Sequence, residues 1–324
     1  MLARQSSMLP DSVTEIHDME TKILWQYDSS FEQTGGASSG EEKKLILKNM
    51  LEFAHSVARP TTEIVMDFPT EAAGKHFPPY MRYNRALLAV EMLERVKQAE
   101  IDGFDAAFPG VCYGEFFLQD ARQAVSMPVV GPAESAMMVA QLLGAKFAVV
   151  TYATEDIYTH GPVYGHNVVE QNMRVLGWES RAIRTKPVRP FAPPLASLLV
   201  DAYDGRPDRL IDVFEKYALE CVRDGADVVI CGCMPYGTAL SKVGYNEVAN
   251  TGVPVVTPLP AMIKFAEAMV DLRRSVGLAK SEAVVSPYRS TPDEVLQDLT
   301  QRGIGMPQVR KPGQAFASAY DPTR

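Results

Sequence analysis

The sequence predicts an α/β protein made of two similar halves, each a four-stranded parallel sheet flanked by helices. Strand-like and helix-like runs alternate, which is the pattern of parallel β-α units with helices on both faces of the sheet. The alternation starts afresh near residue 144, and three short motifs of the first part reappear in the second in the same order.

In the first half, Lys22-Ile-Leu-Trp-Gln-Tyr27 reads as a strand. The segment from Glu41 to Ala58 carries Leu45, Leu47, Met50, Leu51 and Ala54 at helical spacing. Thr62 to Asp67 is a second strand, Arg85 to Ala99 a helix, Phe104 to Phe108 a third strand and Pro128-Val-Val130 a short fourth. The order then restarts with a strand at Lys146 to Thr151, a helix from His160 to Leu176 and a strand at Glu179 to Arg184. A helix follows from Arg209 to Arg223, its apolar side formed by Leu210, Val213, Phe214, Tyr217, Ala218 and Cys221. Strands at Ala226 to Cys231 and Val253 to Val256 and a helix from Pro260 to about Leu272 complete the half. The predicted organisation is an extension over 1–20, halves over 21–143 and 144–275, and a polar, proline-dotted tail over 276–324 with a short helix near Pro292 to Arg302. The last helix of the second half is placed to pack on the first. Residues 30–41 are Gly/Ser-rich and read as a mobile loop.

Bulk properties exclude several classes. The 324 residues are 46% hydrophobic and 22% charged, an ordinary globular composition. A net charge of -8 repels polyanions, and no basic cluster with interleaved aromatics offers a nucleic-acid surface. No apolar run reaches the roughly 18 residues of a membrane span. The start of the chain lacks the basic-then-apolar pattern of a secretion signal, so a cytoplasmic location is expected. Four cysteines, Cys112, Cys221, Cys231 and Cys233, are too few and too clustered for a disulfide framework. Neither Cys231-Gly-Cys233 nor the five histidines form a metal-binding spacing, so no metal is expected. A small-molecule substrate and a homo-oligomeric assembly are expected, with neither nucleic acid nor membrane as partner.

The repeat is what singles out the chemistry. Asp102-Gly-Phe-Asp105 and Asp224-Gly-Ala-Asp227 each precede a strand. One strand runs into Val111-Cys112-Tyr113-Gly114, the other into Gly232-Cys233-Met234-Pro235-Tyr236-Gly237. Downstream lie Met127-Pro-Val-Val-Gly-Pro132 and Val253-Pro-Val-Val-Thr-Pro258. Gly, Asp and Val recur at loops of any α/β protein, but a cysteine at the same strand end in both halves is less easily explained that way.

Ligands of parallel sheets sit beyond the carboxyl ends of the strands. Cys112 and Cys233 both occupy such ends, each before a predicted helix whose amino end lowers a thiol pKa from about 8.5 toward neutrality. Two such thiols on opposite sides of one carbon can exchange its proton, one as base and the other as acid. The enolate formed between the two steps needs donors. The residues that follow each cysteine are candidates: Tyr113 and Gly114 on one side, Met234, Tyr236 and Gly237 on the other. The first strand of each half ends at Asp28-Ser29 and Thr151-Tyr152, whose side chains are placed to hold the substrate's polar groups. Cys221 and Cys231, on an apolar helix face and in an apolar strand, read as small buried hydrophobes. His160 and His166 fall near the cleft, but exposed histidines are common there and neither is counted in the site.

These residues resemble the Asp/Glu/hydantoin racemase superfamily from about Lys22 to Leu272. The most specific stretches are Asp105 to Leu118, Val129-Val-Gly-Pro-Ala-Glu134, Phe147-Ala-Val-Val-Thr151 and Gly225 to Cys233. The VVGPAE and AVVT phrases are most similar to the hydantoin and allantoin racemase branch. The resemblance implies two pseudo-symmetric flavodoxin-like domains, an active site in the cleft between them, no cofactor, and one catalytic cysteine from each half, Cys112 and Cys233. It implies a racemase or epimerase acting at a carbon α to a carbonyl, on a hydantoin-like or amino-acid-derived substrate. Two departures leave that substrate open: Asp28-Ser29-Ser30 stands where the branch has an Asn-rich strand end, and Met-Pro-Tyr follows Cys233 where Ala-Gly-Met is common. An acidic residue at 28 disfavours a carboxylate beside it and suits an N–H donor such as a ureide ring.

Related activities remain as alternatives. Maleate cis–trans isomerases look similar and keep both cysteines; arylmalonate decarboxylases look similar and keep only the second, so Cys112 speaks against them. A bilobal binding protein has no need of two activated thiols. A Cys231–Cys233 redox pair would close a short, strained ring.

Overall fold

The computed structural model describes residues 19–27, 40–69, 82–110, 115–152, 168–191, 195–292 and residue 295. The predicted loop over 30–41 lies almost wholly outside them, as does most of the predicted tail helix. The elements are β1 (Thr21–Gln26), α1 (Gly40–Val57), β2 (Thr62–Asp67), α2 (Arg82–Ile101), β3 (Ala106–Pro109), α3 (Glu115–Ala124) and α4 (Pro132–Leu143) in the first half. The second holds β4 (Phe147–Tyr152), α5 (Val168–Val175), β5 (Val188–Phe191), α6 (Leu195–Tyr203), α7 (Asp208–Arg223), β6 (Val228–Cys231), α8 (Met234–Lys242), β7 (Glu247–Val248), β8 (Val253–Val256) and α9 (Pro258–Val276).

Among the described residues two sheets result, in the orders β2-β1-β3 and β5-β4-β6-β8-β7, parallel except for β7. Neither is the four-stranded sheet predicted. In the first, Pro128-Val-Val130 contributes a single bridge, Val129 to Ala107. In the second, a two-residue strand, β7, adds antiparallel to β8 at the edge. The strand predicted at 179–184 is instead a single turn of 3-10 helix, Glu179–Arg181, followed by a bridge from Ala182 to Phe147. The strand that pairs with β4 is Val188–Phe191, which contains Pro190. Proline cannot donate to a ladder and is tolerated at a sheet edge, and β5 is an edge strand.

The duplication extends to hydrogen bonds. The Asp105 carboxylate accepts the Lys22 N–H at 2.9 Å, and the Asp105 N–H donates to the Lys22 carbonyl at 2.8 Å. The Asp227 carboxylate accepts the Lys146 N–H at 2.7 Å, and its N–H donates to the Lys146 carbonyl at 2.9 Å. Each Asp-Gly-x-Asp turn thus pins the first strand of its half to the third. The glycines inside these turns, Gly103 and Gly225, have φ of 82° and 97°, which only glycine adopts without strain.

One apolar cluster joins the sheets. Trp25, Tyr27, Phe68 and Phe108 of the first half pack with Ala148, Val150, Cys233 and Tyr236 of the second. The last helix, α9, makes contacts with the first half. Glu267 accepts the Arg59 N–H at 2.7 Å and the Thr62 hydroxyl at 2.9 Å, and Arg274 reaches Asp105 at 2.8 Å.

Candidate functional site

The structure fixes the second-half side of the proposed cleft. β6 ends at Cys231, the Gly232 N–H donates to the Val150 carbonyl at 2.9 Å, and Cys233 follows with extended dihedrals (φ -115°, ψ 121°) as the cap of α8. Cys233 is 5% exposed. The strand therefore delivers the thiol to its carboxyl end, where the next helix begins. A Cβ on Gly232 would lie 2.6 Å from Cγ1 of Val149 and 2.9 Å from Cβ of Thr151, so glycine lets the two strand ends approach.

Three helices start close to this point. α4, α8 and α9 each carry proline at their first or second position, where a missing N–H costs nothing. Pro132, Met234 and Pro258 line one hollow of about 20 Å³ together with Gly232. Their amino ends bring partial positive charge to the residues around Cys233. Neither this hollow nor two larger ones, of about 390 and 610 Å³, has Cys233 in its lining among the described residues.

The first half has the matching backbone frame. The Gly110 N–H donates to the Gln26 carbonyl at 2.6 Å, the counterpart of the Gly232 bond to Val150. Cys112 follows its glycine by two residues and Cys233 by one. Cys112, Tyr113 and Gly114 fall in the link 111–114 before α3, outside the described residues, as do Asp28, Ser29, His160 and His166. Of Tyr152 only the backbone, which closes β4, is described.

Among the other predicted site residues, Thr151 is the last residue but one of β4, lies beside Gly232 and is buried. The strand register makes Tyr27, not Asp28, the counterpart of Thr151. One expectation is revised. The Gly237 N–H donates to the Cys233 carbonyl at 2.8 Å, so it serves the helix ladder and not the substrate. A Cβ at Gly237 would sit 3.2 Å from Pro258 and Thr257, so this glycine brings the starts of α8 and α9 together. The Tyr236 ring is fully buried and packs in the same core cluster as Cys233. Met234 and Tyr236 precede the point where the helix's own ladder begins.

The remaining cysteines are structural. Cys231 is fully buried and its thiol lies 3.6 Å from the Cys233 carbonyl. Burial pushes the Cys221 thiol up to about 12. Glu134 of the VVGPAE phrase pairs with Arg122 of α3, a brace between helices. Among the described residues, no group of three or more His, Cys, Asp or Glu is arranged to hold a metal ion, and no helix is long and apolar enough to cross a membrane.

Sequence reasoning missed Tyr203, the last residue of α6, whose hydroxyl donates to the Pro235 carbonyl at 2.9 Å. The signal was present: Leu195-Ala-Ser-Leu-Leu-Val-Asp-Ala-Tyr203 is an apolar run of helical length.

Comparison with known proteins follows the same lines. Residues 45–266 match the family model described as Asp/Glu/Hydantoin racemase. A hydantoin racemase of Pseudomonas sp. (strain NS671) is 29% identical over 231 residues, 70% of this chain and 82% of that protein. A hydantoin racemase of Rhizobium meliloti is 26% identical over 187 residues, 58% of this chain and 69% of that protein. Among solved structures, an allantoin racemase from Klebsiella pneumoniae superposes with a TM-score of 0.60 at 18% identity, covering 84% of this chain and 94% of its own. One from Pseudomonas fluorescens gives 0.59 at 24% identity, covering 84% and 97%.

Proposed function

Since the chain belongs to the Asp/Glu/hydantoin racemase family, we propose that it is a cofactor-independent racemase or epimerase acting at a carbon α to a carbonyl, with Cys233 and Cys112 as its acid–base pair. The observation that carries this reading is Cys233 itself, a buried thiol at the end of β6 that caps a helix start, with two further helix starts nearby. In this reading the partial positive charge of the helix starts offsets the cost of charging a buried thiol. The thiolate takes the α-proton of the substrate, and the carbon's electron pair moves into the carbonyl to give an enolate. The opposite thiol then returns a proton to the other face, so the configuration inverts and the two sulfurs exchange protonation states. The partial positive charge at the start of α8 is assigned to offset the developing negative charge.

A hydantoin-like ring is the favoured substrate class. Its ring N–H groups suit Asp28, and hydantoin racemases are among the relatives. The test is incubation in deuterated water with hydantoins, amino acids and small diacids, followed by NMR. The reading predicts α-deuteration with loss of optical rotation for a hydantoin. Cis–trans conversion of a diacid without α-exchange would favour an isomerase, and no turnover across the panel would favour a binding protein.

A further inference from the structure

We propose that Tyr203 is a positioning residue for Cys233, holding the first turn of α8 through its hydrogen bond to the Pro235 carbonyl and tying that turn to the first half through Lys242 and Asn49. This rests on the reading of Cys233 as an acid–base group. The turn has little intrinsic hold. Pro235 has no N–H to contribute, and Gly237 is a poor helix former. From outside the helix, the Tyr203 hydroxyl donates to Pro235 at 2.9 Å. The Lys242 ammonium, at the far end of α8, lies 5.8 Å from the centre of the Tyr203 ring. The same ammonium donates to the Asn49 side-chain oxygen at 2.5 Å. Asn49 is a buried residue of α1, fixed in turn by donating to the Leu45 carbonyl at 2.8 Å. One chain of contacts therefore runs from a first-half helix, over a tyrosine of the second half, to the turn that begins at the thiol.

The phenol keeps its proton throughout. Burial holds the Tyr203 pKa well above its ordinary value, and charge on Cys233 and Cys231 pushes it the same way. The donor is thus retained across the range in which a thiol titrates. The titratable groups described at this junction include Cys231 from β6, Tyr203 from α6, Tyr236 and Lys242 from α8 and Tyr27 after β1, while α1 contributes the neutral amide of Asn49 and α9 the neutral Thr257 and Pro258.

The test is the pH profile of Cys233 alkylation by iodoacetamide in the full-length protein, followed peptide by peptide in a mass spectrometer. With Tyr203→Phe the midpoint is expected to rise by about half a pH unit, the size of one lost hydrogen bond. The same variant should lower kcat about three- to tenfold with KM little changed, as expected for loss of an interaction that matters to the chemical step. Lys242→Met should move the midpoint in the same direction by less, and it carries the test should Tyr203→Phe not fold. A Cys233 profile in Tyr203→Phe that overlays the wild type overturns the inference. The profile is read without substrate, so this outcome is distinct from failure of the racemase reading, which shows instead as full activity in Cys233→Ser.

Discussion

A methyl group at position 232 has no place to go, because Val149 and Thr151 already occupy the space behind it. Gly232→Ala must push the ends of β4 and β6 apart, and Cys233 is the next residue along. The substitution is expected to cost about 1–3 kcal/mol of stability, the range for overpacking, and to depress turnover beyond what the lost stability explains. Urea unfolding and turnover on the same preparation check this; a variant with wild-type values in both would show that the two strand ends are not closely matched. Cys221 and Cys233 differ sharply at this scale. Both are buried, but Cys221 sits among apolar side chains of α7, where burial raises its pKa to about 12, while Cys233 stands at a helix start. Alkylation at pH 7–8 should therefore modify Cys233 and leave Cys221 untouched.

At the scale of elements, α9 ties the halves together. Glu267 is 4% exposed and binds the Arg59 N–H, the Thr62 hydroxyl and Lys264. Glu267→Ala is expected to cost about 3 kcal/mol, since it strips a buried charge cluster of one partner; a denaturation midpoint within error of wild type would contradict the role of α9 as a brace. The elements also show how much was legible in advance. β2 and β8 fall where their apolar runs placed them, α1 and α7 within one residue, and α9 starts two residues earlier and ends four later than expected, because long apolar periodicity dominates such segments. β5 was missed because Pro190 argues against a strand anywhere but an edge, and edge position is set by the sheet, not by the segment. The two-residue β7 is too short to leave a pattern. The site divided in the same way. Cys233 was identifiable from its repeat partner, whereas the contact of Tyr203 with Pro235 joins residues 32 apart through tertiary packing, which periodicity does not encode.

The whole molecule gains its stability partly from groups kept neutral by burial, which sets its response to alkali. Burial holds the Cys221 thiol at about 12, against about 8.5 for an exposed thiol. Above that lower value the unfolded chain loses a proton that the folded chain keeps, so stability falls as pH rises toward 12. The Tyr203 and Tyr245 phenols are raised by burial as well, and for Tyr245 the nearby Glu215 adds to it, so they extend the same trend upward from about pH 10. Melting temperature should decline above about pH 8.5, with a shallower slope in Cys221→Ala; a curve identical in the two proteins would contradict the assignment. On the same scale, the two halves present equivalent strand ends, joined by one core and pinned by matching aspartates. The proposal that two thiols act on opposite faces of one carbon rests on that symmetry. The most direct measurement is deuterium wash-in to each enantiomer of a racemised hydantoin by Cys112→Ser and Cys233→Ser. Each variant should lose racemisation yet retain exchange into one enantiomer, a different one for each. Exchange into the same enantiomer by both variants, or full racemisation by either, would contradict a two-thiol mechanism.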